Sequence, residues 1–304
     1  FMDAIRVSHL KKYFRDIKAV DDISFEVKQG ELFGFLGVNG AGKSTTINIL
    51  CTLLSETEGT VEVCGYDVKK QGVQVRKKIG VVFQENTLDD MLTVQENLEL
   101  RGSLYEKDTR IVRRNLEEVT QILNIENLLS RQFRKLSGGQ KRRCEIAKSL
   151  MNTPDILFLD EPTTGLDPQT RKQVWESIER LRHERNMTVF LTTHYMEEAA
   201  MAQYLCIMDA GKIVASDSPS ELKKKYATDL LKLYTKDIEV MIREVESKKM
   251  SYERLSNGVA IHLSSTKDAL GIVEKLHTDF DGMEIVQGSM DDVFINVTGK
   301  KMEV

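Results

Sequence analysis

Four short runs along the chain are apolar at nearly every position: Leu32 to Leu36, Ile79 to Phe83, Ile156 to Leu159 and Thr188 to Leu191. Apolar runs of this length without alternation suit strands covered on both faces, and the long helical stretches between them can serve as crossovers of a parallel sheet. Ile23 to Val27 instead alternates apolar and polar residues, as a half-solvated strand does. Leu205 to Met208 and Lys212 to Ala215 flank Ala210-Gly211, a hairpin signal. Together these runs predict an α/β domain with some antiparallel sheet over residues 2–220.

Between Gln84 and Leu136 no strand pattern occurs. Thr93 and Glu96 have capping-box spacing ahead of a helix, and Ile111 to Ile122 predicts another, so residues 86–150 read as a helical subdomain. Ser218-Pro219-Ser220-Glu221 is a further capping box with Pro at the first helical position. The tail, residues 221–304, has its own pattern. Leu230 to Thr235 predicts a strand, and Ile238, Met241, Ile242 and Val245 have helical spacing. Asn257-Gly258 marks a turn between two further strands. Ala269, Ile272, Val273, Leu276 and Phe280 make a second helical stripe, followed by a strand from Glu284 to Gln287. The order β-α-β-β-α-β resembles a ferredoxin-like unit.

Composition narrows the class without naming it. With 304 residues, 41% of them hydrophobic, and only four prolines, the chain can build a sizeable core, and disordered or collagen-like classes are excluded. No apolar stretch approaches the roughly 18 residues of a membrane span. A net charge of −4 is unlike that of a dedicated nucleic-acid binder, so no nucleic-acid partner is expected. Cys51, Cys64, Cys144 and Cys206 are widely spaced, which fits a reducing compartment better than a disulfide framework or a zinc site. No basic segment followed by an apolar one opens the chain, so no secretory signal is expected, and Phe1 ahead of Met2 reads as extraneous.

Gly37-Val38-Asn39-Gly40-Ala41-Gly42-Lys43-Ser44 satisfies G-x-x-x-x-G-K-[ST] between a predicted strand and a predicted helix. Gly37, Gly40 and Gly42 let the backbone curl so that its N–H groups face phosphate oxygens, helped by the positive end of the helix. Lys43 can reach the β- and γ-phosphates and the Ser44 hydroxyl suits Mg²⁺; Asn39, Ala41 and Thr45 complete the expected nucleotide-binding segment. Ile156 to Leu159 ends in Asp160 and Glu161. An acid there can hold the metal shell, a role that goes to Asp160, while Glu161 can polarise an attacking water. Such a run is more often just a strand entering a loop. Ser137 and Gln140 of Leu136-Ser137-Gly138-Gly139-Gln140 have capping-box spacing. That marks either an ordinary helix start or a second phosphate site, in which Ser137, Gly138, Gly139 and Gln140 present a hydroxyl and exposed N–H groups.

With this LSGGQ segment ahead of the aspartate strand, the chain resembles the ATP-binding subunits of ABC transporters. The resemblance implies a P-loop NTPase cassette: a RecA-like core, an antiparallel β subdomain and a helical signature subdomain, here with a small C-terminal α+β accessory domain. It implies further roles residue by residue. Gln84 matches the Q-loop glutamine that touches Mg²⁺ and water, and Asp167 of Gly165-Leu166-Asp167 matches the D-loop aspartate. His194 matches the switch histidine on the γ-phosphate, and Phe14, or else neighbouring Tyr13, matches the aromatic stacked on adenine. Val38 departs from the Pro or Ser of many relatives. His194 to Ala199 and Met290 to Phe294 resemble the daunorubicin-resistance type, which energises separate export permeases.

The resemblance therefore implies an ATPase with ATP and Mg²⁺, cytoplasmic and held to the inner face of the membrane by a separately encoded permease. It also implies a head-to-tail pair of subunits, either two copies or close relatives. Each ATP would lie between Lys43 and Ser44 of one subunit and Ser137 and Gly139 of the other. A soluble regulatory ABC ATPase not coupled to transport is the alternative, as is an ATP-binding scaffold with little turnover. Intact Glu161 and His194 argue against the scaffold.

Overall fold

The computed structural model describes residues 3–300. The Phe1-Met2 start, and the last four residues of the expected tail domain, lie outside the described residues. The chain divides into two compact units after Ser216.

The first unit opens with a long hairpin, β1 (Asp3–Phe14) and β2 (Ile17–Lys28), turning at Arg15-Asp16. β3 (Leu32–Leu36) follows, then α1 (Lys43–Leu50), β4 (Glu58–Val63), β5 (Tyr66–Asp67), α2 (Gly72–Lys78) and β6 (Ile79–Val82). Next come α3 (Val94–Ser103), α4 (Thr109–Ile122) and α5 (Gly138–Leu150), with short 3₁₀ turns between the last two. The unit continues through β7 (Ile156–Asp160), α6 (Pro168–Arg185), β8 (Thr188–Thr193), the single turn α7 (Met196–Ala199), β9 (Tyr204–Asp209) and β10 (Lys212–Asp217).

Two sheets result. The outer one has the order β2-β1-β4-β5, and the central one β10-β9-β3-β8-β7-β6. Within the central sheet β3 is parallel to β9 and β8, β8 to β7, and β7 to β6. All residues of β3, β7 and β8 are buried, as the unbroken apolar runs require. Alternate side chains feed two cores. Phe33, Phe35, Phe158 and Phe190 face the β1-β2-β4 side, where Phe33 and Phe190 lie 5.2 Å apart between ring centres. Leu32, Leu157, Leu159, Val189 and Leu191 face the core that receives α3 to α6. The two-residue turn Ala210-Gly211 has positive φ at both positions (47° and 80°), the backbone that matches strand twist in a tight hairpin.

β1 and β4 were absent from the expected elements. In β1 the buried positions change parity, from Ile5 and Val7 to Leu10, because a bulge at His9 (φ 51°) inserts a residue into the ladder. Simple alternation is lost there. Gly59 of β4 packs against that bulge, where a Cβ would stand 2.4 Å from the His9 carbonyl oxygen.

The second unit contains α8 (Pro219–Tyr226), β11 (Asp229–Tyr234), α9 (Ile238–Ser247), β12 (Tyr252–Leu255), β13 (Gly258–Leu263), α10 (Asp268–Val273), β14 (Gly282–Val286) and α11 (Met290–Thr298). Its antiparallel sheet runs β12-β13-β11-β14, so β12 and β13 form a hairpin and β13 inserts beside β11. This is the β-α-β-β-α-β order expected of the tail. Leu231, Leu233, Val259 and Ile261 pack against Met241, Val245 and Ala269. α10 is shorter than its stripe, and Leu276 and Phe280 reach the same cluster from the loop that follows. The Met290 to Phe294 segment forms the first half of α11, burying Met290, Val293 and Phe294; the helix packs on α8 inside this unit, with the Asn296 amide donating to the Tyr226 carbonyl at 2.7 Å. Among the described residues no helix is long and apolar enough to cross a membrane.

Candidate functional site

Neighbouring parallel strands bring their C-terminal ends to one edge of a sheet, which is where α/β folds gather ligands. Here β3, β8, β7 and β6 are consecutive neighbours. Their ends carry the Gly37–Gly42 loop, His194, Asp160-Glu161 and Phe83-Gln84. A cavity of about 640 Å³ opens at this edge, lined by the loop residues Asn39, Gly40, Gly42, Lys43, Ser44 and Thr45 together with Gln84, Glu161 and His194. Four segments far apart in sequence thus meet in one pocket.

The loop earns its glycines at two positions. Gly40 and Gly42 have φ of 81° and 107°, and a Cβ on Gly42 would stand 2.4 Å from the Ala19 carbonyl oxygen. Gly37 and Ala41 are buried supports; the Ala41 N–H donates to the Val38 carbonyl at 3.1 Å. Lys43, only 4% exposed, donates to the carbonyls of Gly37 (2.7 Å) and Val38 (3.2 Å), and its Nζ lies 3.5 Å from Glu161 Oε1. Burial pulls its pKa down, and the Glu161 charge works against that shift. A buried cation in the first turn of α1, behind the glycine loop, has the charge and the helix end that suit a polyanion.

Glu161 is held in an unusual backbone state. Its φ of 46° is left-handed, a conformation that costs energy for a residue with a side chain and collects at functional sites. The Glu161 N–H donates to both the carbonyl and the hydroxyl oxygen of Thr192, each at 3.1 Å. Its carboxylate lies between Lys43 and His194, with Oε2 3.2 Å from His194 Nδ1 and accepting from the Thr164 hydroxyl at 3.3 Å. The approach to Nδ1 lacks hydrogen-bond alignment, leaving that nitrogen buried without a properly directed partner. The Thr192 hydroxyl also donates to Asp160 Oδ1 at 2.5 Å and so orients the carboxylate at the strand end.

For Mg²⁺, the expected donors are the Ser44 hydroxyl and the Gln84 side chain, which line the cavity, and the Asp160 carboxylate, which is buried at the end of β7 and is not among the lining residues. All are hard oxygen ligands. Among the described residues no group of three or more His, Cys, Asp and Glu could cage a metal. One carboxylate and a hydroxyl beside a phosphate-binding loop is the sparse set from which Mg²⁺ is held when phosphates complete its shell. The residues fit the ion.

Not every expected residue reaches the cavity. Phe14 is 45% exposed, with the Lys12 ammonium 4.9 Å from its ring centre, and it is not among the lining residues. Its cross-strand partner Ile17 is, with Lys18 and Ala19. The Tyr13 hydroxyl donates to Asp21 at 2.9 Å. The apolar wall is therefore formed from β2, across the hairpin from the expected aromatic.

Ser137, Gly138, Gly139 and Gln140 form the start of α5, also outside the cavity lining. Ser137 and Gln140 cap each other: the Gln140 N–H donates to Ser137 Oγ (3.4 Å) and the Ser137 N–H to Gln140 Oε1 (3.1 Å). A Cβ on Gly139 would meet Thr170 Cγ2 at 2.1 Å, so the glycine lets α5 approach the start of α6. Asp167 caps α6, accepting from the Thr170 N–H (3.0 Å) and hydroxyl (2.5 Å), bonds that lower its pKa. Within one chain the two expected phosphate-binding loops do not share a pocket.

Several supporting residues escaped the sequence reading. Glu198 is buried and accepts from the Thr193 hydroxyl (2.6 Å), Trp175 Nε1 (2.9 Å) and the Thr163 hydroxyl, pinning the segment that carries His194. Arg142 and Glu145 are buried on α5, although a charged helix face normally signals solvent. No local pattern marks them. The four cysteines are free, and burial pushes the Cys64 thiol up to about 11 and the Cys144 thiol to about 12, so both stay protonated.

The ABC transporter family profile matches residues 20–164. The chain is 36% identical to the daunorubicin/doxorubicin resistance ATP-binding protein DrrA of Streptomyces peucetius, over 97% of this chain and 92% of that protein. It is 32% identical to the Nod factor export ATP-binding protein I of Cupriavidus pinatubonensis, over 98% and 91%. Among solved structures it is similar to cbiO1 of Clostridium perfringens, part of the ABC transporter complex cbiONQ (TM-score 0.68, 26% identity, 72% of this chain and 90% of that one). It is also similar to a dimeric ATP-binding cassette in a post-hydrolysis state bound to ADP and Pi (TM-score 0.64, 27% identity, 70% and 98%).

Proposed function

The chain belongs to the ABC transporter family as an ATP-binding, ATP-hydrolysing subunit, and from that premise we propose that it drives a separately encoded membrane permease for export. The observation that carries the hydrolytic part is the cavity in which Lys43, Ser44, Gln84, Glu161 and His194 converge. The export assignment is supported by the relatives named for daunorubicin resistance and Nod factor export. On this reading the subunit works in the cytoplasm, peripheral to the inner face of the membrane.

In the proposed mechanism the Gly37–Gly42 backbone and Lys43 hold the β- and γ-phosphates. Mg²⁺, when bound through Ser44, Gln84 and Asp160, supplies neutralisation of phosphate charge. Glu161 takes the proton of the attacking water, and His194, 3.2 Å from Glu161, holds the γ-phosphate in line. Two subunits pair head to tail so that Ser137 and Gly139 of one close over the nucleotide on Lys43 and Ser44 of the other. The exposed position of Ser137 and Gly138, away from the cavity of their own chain, supports that pairing.

Ser137→Arg tests it. The side chain is exposed, so the cost to the fold is the lost helix cap, about 1 kcal/mol. ATP affinity of the monomer should stay within about threefold of wild type, while turnover and ATP-dependent dimerisation, read by size-exclusion chromatography, are lost. A comparable loss of monomer affinity would show that Ser137 serves its own chain's nucleotide.

The tail is proposed to be a separate accessory domain that supplies no ATP chemistry, since its core of Leu231, Leu233, Val259 and Ile261 is self-contained. A chain ending at Asp217 should melt cooperatively and bind ATP with near-native affinity, but assemble with the permease or turn over abnormally. Insolubility or loss of ATP binding in that fragment would contradict the proposal.

A further inference from the structure

The buried charges of α5 remain without a role in the chemistry above. Arg142, 6% exposed, spends its guanidinium on backbone carbonyls of two distant segments. Nη1 donates to Phe83 O at 2.5 Å, directly before Gln84. Nη2 donates to Asp160 O at 3.2 Å and Glu161 O at 3.0 Å, and Nε to Pro162 O. Burial lowers its pKa to about 10, partly offset by Glu145, Asp160 and Glu198, so it stays charged at neutral pH. A rigid planar fork carries its donors on three separate nitrogens and so spans acceptors on different segments; an ammonium, with all its donors on one nitrogen, reaches only acceptors clustered around that atom.

The segments it grips are those that need holding. Glu161 has a left-handed backbone whose N–H is fixed by Thr192; Arg142 fixes its carbonyl from the other side. One turn further along α5, Glu145 accepts from the N–H groups of Thr87 (2.5 Å) and Leu88 (2.8 Å) and from the Thr87 hydroxyl (3.0 Å), with Lys148 closing the network at 2.5 Å. The stretch carrying Gln84 is therefore held by α5 at both ends, by Arg142 at Phe83 and by Glu145 at Thr87-Leu88.

We propose that Arg142 is a positioning residue that sets the place of Gln84 relative to Glu161, and thereby the geometry of the hydrolytic water, from outside the nucleotide cavity. The inference rests on the hydrolytic reading above. No atom of Arg142 lines the cavity, so its removal should leave nucleotide binding nearly intact while the chemical step slows.

The test uses the full chain with Arg142→Ala and Arg142→Lys, the second keeping charge and length should the first fail to fold. Nucleotide affinity by fluorescence titration, kcat and KM for Mg-ATP hydrolysis, and the melting temperature are compared with wild type. Arg142→Lys is expected to melt close to wild type and to keep affinity and KM within about threefold, while kcat falls by about tenfold or more. Wild-type kcat in a folded Arg142→Lys chain would overturn the inference, as would affinity and kcat falling together with the melting temperature. Absence of turnover in the wild-type chain would instead bring down the hydrolytic reading, and the inference with it.

Discussion

Glu161→Gln should bind ATP as wild type does and turn over about 10²- to 10⁴-fold more slowly, the range general-base catalysis supplies. The amide keeps the shape of the carboxylate, and the bonds that hold Glu161 in its left-handed backbone run from its N–H and carbonyl, so they survive the change. What is lost is the basicity of an oxygen placed between Lys43 and His194. Without hydrolysis the ATP-bound pair should accumulate. A phosphate-release assay beside size-exclusion chromatography with Mg-ATP reads both effects. Turnover at the wild-type rate would remove Glu161 from the role of base.

Lys43→Ala should fail at the earlier step. The ammonium is buried and held on two carbonyls of its own loop, and in the proposed mechanism its charge serves the phosphates of bound ATP in the ground state as well as in the transition state. Charge-assisted bonds contribute roughly twice what neutral ones do, and losing those to two phosphates should weaken ATP binding about 100-fold, near 3 kcal/mol. Removing the amine relieves its own desolvation but leaves the buried Glu161 carboxylate and two loop carbonyls without their partner, so the melting temperature should fall, and a thermal melt beside the titration shows that the variant is folded. Nucleotide titration at fixed Mg²⁺ measures the loss. Unchanged affinity with slow turnover would show that Lys43 acts only in the chemical step.

The two substitutions are expected to separate because the proposed mechanism gives the two residues, 3.5 Å apart, different parts of the reaction. That pairing could not be read along the chain. Glu161 follows an apolar run, as many solvent-exposed acids do, and only its neighbours at the strand ends give it work. Phe14 shows the converse. The aromatic expected to stack on adenine, Phe14 or else Tyr13, stands on β1, and the hairpin register puts Ile17 of β2, the partner of Phe14, in the cavity wall. Arg142 and Glu145 are further from view still, since charges at successive turns of a helix look the same whether they meet water or buried carbonyls.

What the sequence by itself determined is whatever a few consecutive residues decide. The strands β3, β7 and β8 follow from unbroken apolar runs, the starts of α3, α5 and α8 from Ser or Thr followed three residues later by Glu or Gln, and the loop before α1 from glycines that alone accept its backbone. Tertiary structure decided the rest: that β3, β8, β7 and β6 lie side by side, so that Lys43, Gln84, Glu161 and His194 meet; that α5 buries its charges against that edge; and that its capped start lies outside the lining of its own chain's pocket. The physical reason is the range of the interactions. Backbone preference and capping act within a turn of chain, whereas strand order and the hydrogen bonds from Arg142 to Phe83 and Glu161 exist only once segments some 20 to 60 residues apart have packed together.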